Sequence, residues 1–199
     1  MTTPRTLLSM AGADLTPNSL TDSALILIDC QNEYLSGALP LDGVDAALDQ
    51  ISILLERARA LETPIIHIVH KGTAGGLFDL DAQNGQIATK VAAREGEAVV
   101  EKTLPNSFAG SVLKQKIDET GRNKLIVAGF MTHMCVSATV RAALDLGYQS
   151  TVVAAAAATR DLPGIDGGVV TAKDLHQVTL TALSDRFAVI AIDADGIAD

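Results

Sequence analysis

Residues 124–147, KLIVAGFMTHMCVSATVRAALDLG, decide how the rest of the chain is read. An apolar run over residues 125–128 stops at Gly129. Cys135 then opens a helical pattern of Val136, Val140, Ala143 and Leu144. A thiol at the junction of a strand and the helix after it sits at the positive end of a helix dipole. That position favours thiolate over thiol, and thiolate is the reactive form. Cys135 is therefore placed as a nucleophile, and a nucleophile needs a base and a site for the oxyanion it creates.

Working outward, apolar stretches and helical patterns alternate. Residues 24–29 (ALILID) form a continuous apolar run ending in a carboxylate, which suits a strand covered on both faces. Residues 44–61 predict a helix, with Leu48, Ile51, Leu54, Leu55, Ala58 and Leu61 at helical spacing. Strands are expected over 65–70 (IIHIVH), 98–102 (AVVEK), 125–128, 151–156 and 188–192. Further helices are expected over 108–119, 135–146 and 171–183, with Gly121 and Gly147 just past two of their ends. Residues 71–86 are Gly-rich and read as a flexible surface connection, or secondarily as a lid carrying Phe78.

This alternation implies an α/β fold: a three-layer α/β/α arrangement around a six-stranded, mainly parallel, Rossmann-like sheet, with residues 1–199 as a single domain. Ligands of such sheets bind outside the carboxyl ends of the strands. Asp29, Lys102 and, one turn past its strand, Cys135 all fall there. Each has a plain structural alternative. Asp29 could cap the next turn, Lys102 could be a solvated strand end, and Cys135 could be a small buried hydrophobe. The coincidence of an acid, a cation and a thiol on one edge favours chemistry. Cys30, the neighbour of Asp29, points to the opposite face and reads as core.

Composition limits the remaining possibilities. With 199 residues the chain can bury a sizeable core, and 48% hydrophobic content excludes a disordered class. A net charge of -9 argues against a nucleic-acid partner. No apolar run approaches the roughly 20 residues of a membrane span, and the first residues lack the apolar core of a signal peptide. Two cysteines and no disulfide framework suggest a reducing compartment, so the expected setting is the cytoplasm.

Three motifs carry a resemblance. They are Asp29-Cys30-Gln31-Asn32 after an apolar strand, residues 102–113 (KTLPNSFAGSVL), and residues 129–143 (GFMTHMCVSATVRAA). Together they resemble the isochorismatase-like cysteine hydrolases over nearly the whole chain, with motifs and elements in the same order. The resemblance implies a catalytic triad of Asp29, Lys102 and Cys135. It also implies a cis peptide between Phe130 and Met131, and an oxyanion hole made by the backbone N–H groups of Met131 and Cys135. It further implies assembly into homo-oligomers, for which residues 135–146 and 171–183 are candidate contacts.

The histidines were weighed against metal binding. The nicotinamidase branch of that family carries an Asp-x-His…His zinc cluster near the second strand. His67 and His70 lie three apart on a predicted strand, so alternation puts them on opposite faces, and no Asp lies two residues before either. No metal and no cofactor is expected. His70, Asn106, Phe108 and His133 are candidates to line the substrate pocket, while His67 reads as structural and His176 as facing solvent or another subunit. Asp161 is expected to start a turn.

The leading expectation is a cysteine-dependent hydrolase of a small amide, carbamoyl or ureido compound through a thioester. Alternatives are an isochorismatase-type vinyl-ether hydrolase, an activity for which the resemblance implies no need of the thiol, a catalytically silent binding protein, and a thiol redox protein. The intact acid–cation–thiol set weighs against the silent protein. The lack of a nearby resolving cysteine in sequence weighs against the redox protein.

Overall fold

Runs of branched aliphatic residues too short for helices become strands when both faces can be covered. In the computed structural model, which describes residues 3–199, six such runs form one sheet. They are β1 (Ser23–Ile28), β2 (Ile65–His70), β3 (Ala98–Lys102), β4 (Lys124–Phe130), β5 (Gln149–Ala158) and β6 (Ala188–Ala191). All neighbouring strands are parallel, in the order β3-β2-β1-β4-β5-β6. The central strand β1 is buried at every position.

Side-chain alternation splits the core into two layers. After a short first helix, α1 (Leu7–Met10), helix α2 (Val44–Ala60) covers Leu25 and Leu27 of β1 and Ile126 and Ala128 of β4 through Leu48, Ile51, Leu54 and Leu55. Ala24, Ile26 and Ile28 face the other way. They pack with Leu113 and Ile117 of α3 (Leu113–Thr120), Val140 and Ala143 of α4 (Ser137–Asp145), and Leu180 and Leu183 of α5 (Ala172–Arg186). Burying one such aliphatic side chain stabilises the fold by about 1.5–3 kcal/mol.

The winding places the site. From β1 the chain moves outward to β2 and β3, then returns to β4 beside β1 and moves the other way. The reversal falls between β1 and β4, and the carboxyl ends of the strands at such a switch point are the usual ligand position in sheets of this kind. Strand register there requires Gly129, which lies opposite Ile28 at φ 112°. A Cβ at Gly129 would come 2.1 Å from the Ile28 carbonyl oxygen.

Several boundaries differ from the sequence expectations. The helix expected over 108–119 starts only at Leu113, because Gly110 turns the chain at φ 66° and Ser111 Oγ accepts from Leu113 N at 3.1 Å. The helix expected to open at Cys135 is preceded by a five-residue π-turn, Thr132–Val136, and becomes α-helical at Ser137. The connection over 71–86 is tied down rather than free. Gly72 N donates to Phe78 O (2.9 Å), Phe78 N donates to Glu33 Oε2 (3.3 Å), and Phe78 is buried. Asp161 caps α5, accepting from Ala172 N at 2.7 Å. No helix among the described residues is long and apolar enough to cross a membrane.

The close approach at Gly129 makes a sharp prediction. Gly129→Ala must both strain a positive φ and push β1 from β4, and is expected to cost roughly 3 kcal/mol or more in urea unfolding. Gly121→Ala, at φ 69° with open space around it, should cost only about 1–2 kcal/mol.

Candidate active site

The chain leaves β1 in a left-handed conformation at Asp29 (φ 51°), a region Asp enters more readily than most residues. Asp29 is fully buried, and neither carboxylate oxygen accepts an N–H from the following turn. It is therefore not a turn cap. Its partner is Lys102 at the end of β3, whose Nζ lies 2.7 Å from Asp29 Oδ2 as an ion pair off the ideal hydrogen-bond direction. Both side chains have 0% exposure. The same ammonium donates to Cys135 Sγ at 3.4 Å and contacts His70 Nδ1 at 3.3 Å. Strands β1, β2 and β3 and the π-turn after β4 thus each send one side chain to a single point.

Burial dominates the electrostatics. It raises the Asp29 carboxyl, opposed first by the Lys102 charge and then by the contact with Cys135. Burial also pushes the Cys135 thiol up to about 12, with Asp29 adding to the rise and Lys102 opposing it. The expectation of a resting thiolate at a helix end is corrected here. Desolvation and the neighbouring carboxylate oppose ionisation of the sulfur, against the pull of Lys102 and the helix terminus.

Surrounding groups hold these elements in place. Gln31, wholly buried, clamps the end of β2 by accepting from His70 N (2.8 Å) and donating to His70 O (2.9 Å) and Gly85 O (2.7 Å). Tyr34 packs edge-on against Phe78 and Phe130, with ring centroids 5.1 and 5.8 Å away. Burial raises its phenol, and the charges of Asp29 and Cys135 add to this. After β3, Ser107 N donates to Thr139 Oγ1 at 3.0 Å, locking the Lys102 segment onto α4. The Phe130–Met131 peptide bond is cis and leads directly into the π-turn. Thr132 Oγ1 donates to Ala158 O (3.1 Å) and pairs with His176 Nδ1 (2.9 Å), so His176 is turned toward the π-turn rather than toward solvent.

The four pocket candidates fare differently. His70 touches Lys102. His133, half-buried, pairs through Nδ1 with Thr159 Oγ1 at 2.6 Å, beside the end of β5. Asn106 is not brought to the cluster; its Oδ1 accepts from Phe108 N (2.9 Å) within its own turn. Phe108 stacks on Tyr148 at 5.8 Å and packs against the buried cluster that also contains Cys135. Gln31, Tyr34 and Arg160 were missed. Arg160, at the end of β5 next to Thr159, has a buried Nε without a partner among the described residues. Its only advance signal was a cation following a strand end.

The residues do not fit a zinc centre of the nicotinamidase type. His67 points into the sheet's other face, where Nε2 pairs with Glu97 Oε2 at 2.9 Å, while His70 faces the Lys102 ammonium. Among the described residues no three His, Cys, Asp or Glu side chains are grouped to hold a metal ion.

An acid, a cation and a thiol thus meet at the switch point of a doubly wound sheet. The family model of the Isochorismatase domain matches residues 23–194, and the chain belongs to the isochorismatase family of hydrolases. The crystal structure of an isochorismatase from Pseudomonas putida KT2440 is 45% identical with a TM-score of 0.91, over 95% of this chain and 97% of that one. A secreted isochorismatase effector, Isc1 of Verticillium dahliae, is 37% identical over 94% of this chain and 96% of its own length. Streptothricin hydrolase of Streptomyces noursei is 32% identical over 83% of this chain and 57% of its own length.

The raised thiol has a measurable consequence for stability. Folded Cys135 holds its proton more tightly than an unfolded cysteine, whose pKa is about 8.5. Its contribution is therefore complete below about pH 8.5 and is lost as pH rises toward about 12. Between pH 7.5 and 10, wild type should lose about 2 kcal/mol of unfolding free energy relative to Cys135→Ala. Parallel urea curves at the two pH values read this directly.

Proposed function

We propose that the chain hydrolyses a small amide, carbamoyl or ureido compound through a thioester on Cys135. The observation that carries this reading is the placement of Lys102 Nζ 2.7 Å from Asp29 Oδ2 and 3.4 Å from Cys135 Sγ, with all three residues buried. More distant relatives named maleamate amidohydrolase, from Pseudomonas putida, and ureidoacrylate amidohydrolase, from Klebsiella variicola, are each 27% identical to this chain. They support cleavage of a C–N bond.

In this mechanism Asp29 takes the proton from Cys135, and Lys102 stabilises the thiolate so formed. The sulfur attacks the carbonyl carbon. The backbone N–H groups of Met131 and Cys135 receive the oxyanion. Asp29 then gives its proton to the leaving nitrogen as the C–N bond breaks, leaving a thioester. Water attacks the thioester with Asp29 again as base. The C–S bond breaks, the acid product leaves, and the proton held by Asp29 returns to sulfur. No step uses a metal or an organic cofactor. His70 and His133 are the proposed pocket histidines, and the described residues act in this reading as one domain.

The names of the Pseudomonas and Verticillium relatives favour a second reading, hydrolysis of the vinyl ether of isochorismate. Water would then add without a covalent enzyme intermediate, and the thiol would be dispensable. A reducing cytoplasm suits an unprotected catalytic sulfur, although the Verticillium relative is described as secreted. The exposed face of α5, with Val178 at 66% exposure, is the proposed contact for self-association.

A panel of maleamate, ureidoacrylate, nicotinamide and simple carbamoyl amino acids, assayed for ammonia release beside isochorismate assayed for pyruvate, separates the readings. Ammonia release from at least one amide, lowered about a thousandfold or more by Cys135→Ala, is the expected result. Pyruvate release that survives Cys135→Ala contradicts it.

A further inference from the structure

Lys102 carries a third contact that the hydrolytic scheme does not use. An ammonium has three donors and no lone pair. Two of its directions go to Asp29 Oδ2 and Cys135 Sγ, and the third meets His70 Nδ1 at 3.3 Å. His70 must therefore accept through Nδ1, which puts the ring proton on Nε2. Burial and the adjacent Lys102 charge lower the imidazole to about 4, so the ring stays neutral at physiological pH.

The imidazole is itself held. Gln31 grips both backbone polar groups of His70, at 2.8 and 2.9 Å. The ring meets Phe78 edge-on, with centroids 5.1 Å apart. Phe78 is fixed in turn by Tyr34 and by the Glu33 carboxylate. Gln31 and Phe78, which hold His70, are themselves buried. A rigid, neutral acceptor is the partner that can hold a flexible four-carbon lysine in one rotamer without competing for its charge.

We propose that His70 is a positioning residue for Lys102: its Nδ1 lone pair fixes the ammonium between Asp29 and Cys135, and the ammonium in return locks the imidazole as the Nε2–H tautomer. The inference rests on the reading of Asp29, Lys102 and Cys135 as a hydrolytic centre. Without the Nδ1 acceptor, one N–H of a buried ammonium is left unpaired. The lysine then gains a reason to swing toward water, and its contact with sulfur loosens. The thiolate loses stabilisation even though no residue that touches it has been changed.

Two substitutions separate positioning from packing. Asparagine can place a carbonyl oxygen near the position of Nδ1 and so keep the acceptor. Glutamine reaches the position of Nε2 and loses the acceptor, while filling more of the same space. The full chain is treated with iodoacetamide across pH 6–10, and alkylation of Cys135 is followed by mass spectrometry. His70→Gln should react about tenfold more slowly than wild type at pH 7.5, as for a thiol raised by about one pK unit. His70→Asn should stay within about twofold of wild type. Nitrogen NMR of histidine-labelled wild type should show His70 as the neutral Nε2–H tautomer at pH 6. Equal rates for the two variants, or an Nδ1–H or doubly protonated His70 at pH 6, would overturn the proposal. An amide panel that yields no ammonia from the wild type while His70 shows the expected tautomer and the two variants differ in rate would count instead against the hydrolytic reading.

Discussion

A lysine ammonium and an aspartate carboxylate, both fully removed from water, meet at 2.7 Å where β3 and β1 end. Such a pair is an expensive way to stabilise a fold, because desolvation of two ions offsets most of their attraction. Removing one partner is worse, at about 3–5 kcal/mol, since the other charge is left buried alone. The sheet must therefore bring both strand ends to the same place, or the chain would not bury them at all. Every other feature of the site follows from where this pair sits. The thiol is within reach of the ammonium, and the imidazole backs it.

The pair also sets how protons move. A thiol exposed at a helix end would ionise unaided, but this one is buried and its pKa lies far above neutrality. The Asp29 carboxyl is raised by the same burial. Two neighbouring acids that both resist ionisation pass a proton between them at lower cost than either would pay to release it to water. Lys102 contributes a fixed positive charge that favours whichever partner is anionic. The arrangement suits a reaction in which sulfur, leaving nitrogen and water each need a proton moved in turn.

Much of this was legible in the sequence because it depends on local pattern and topology. Asp29, Lys102 and Cys135 are identified by their position just past apolar runs, and a parallel sheet gathers such positions automatically. The strands over 65–70 and 98–102 have the predicted bounds for the same reason. What failed depends on contacts distant in sequence. Phe108 follows Lys102 closely, but its stacking on Tyr148 has no signal in the sequence around it. His176 looked outward on a weakly amphipathic helix, and only the fold reveals Thr132 beneath it. A helix end beside the sulfur can be read from sequence, whereas the depth of burial around it cannot. Gln31 lay in a recognised motif, but its grip on His70 crosses from β1 to β2 and has no local signature.

The central claim is that one buried sulfur becomes covalently attached to the acyl part of the substrate. Rapid acid quenching during turnover of a hydrolysed amide, followed by mass spectrometry of the peptide containing Cys135, tests it most directly. The account predicts a transient acyl mass on Cys135 that forms and decays at rates matching turnover. Steady turnover with that peptide unmodified at every quench time, or an acyl group on a different residue, would contradict it.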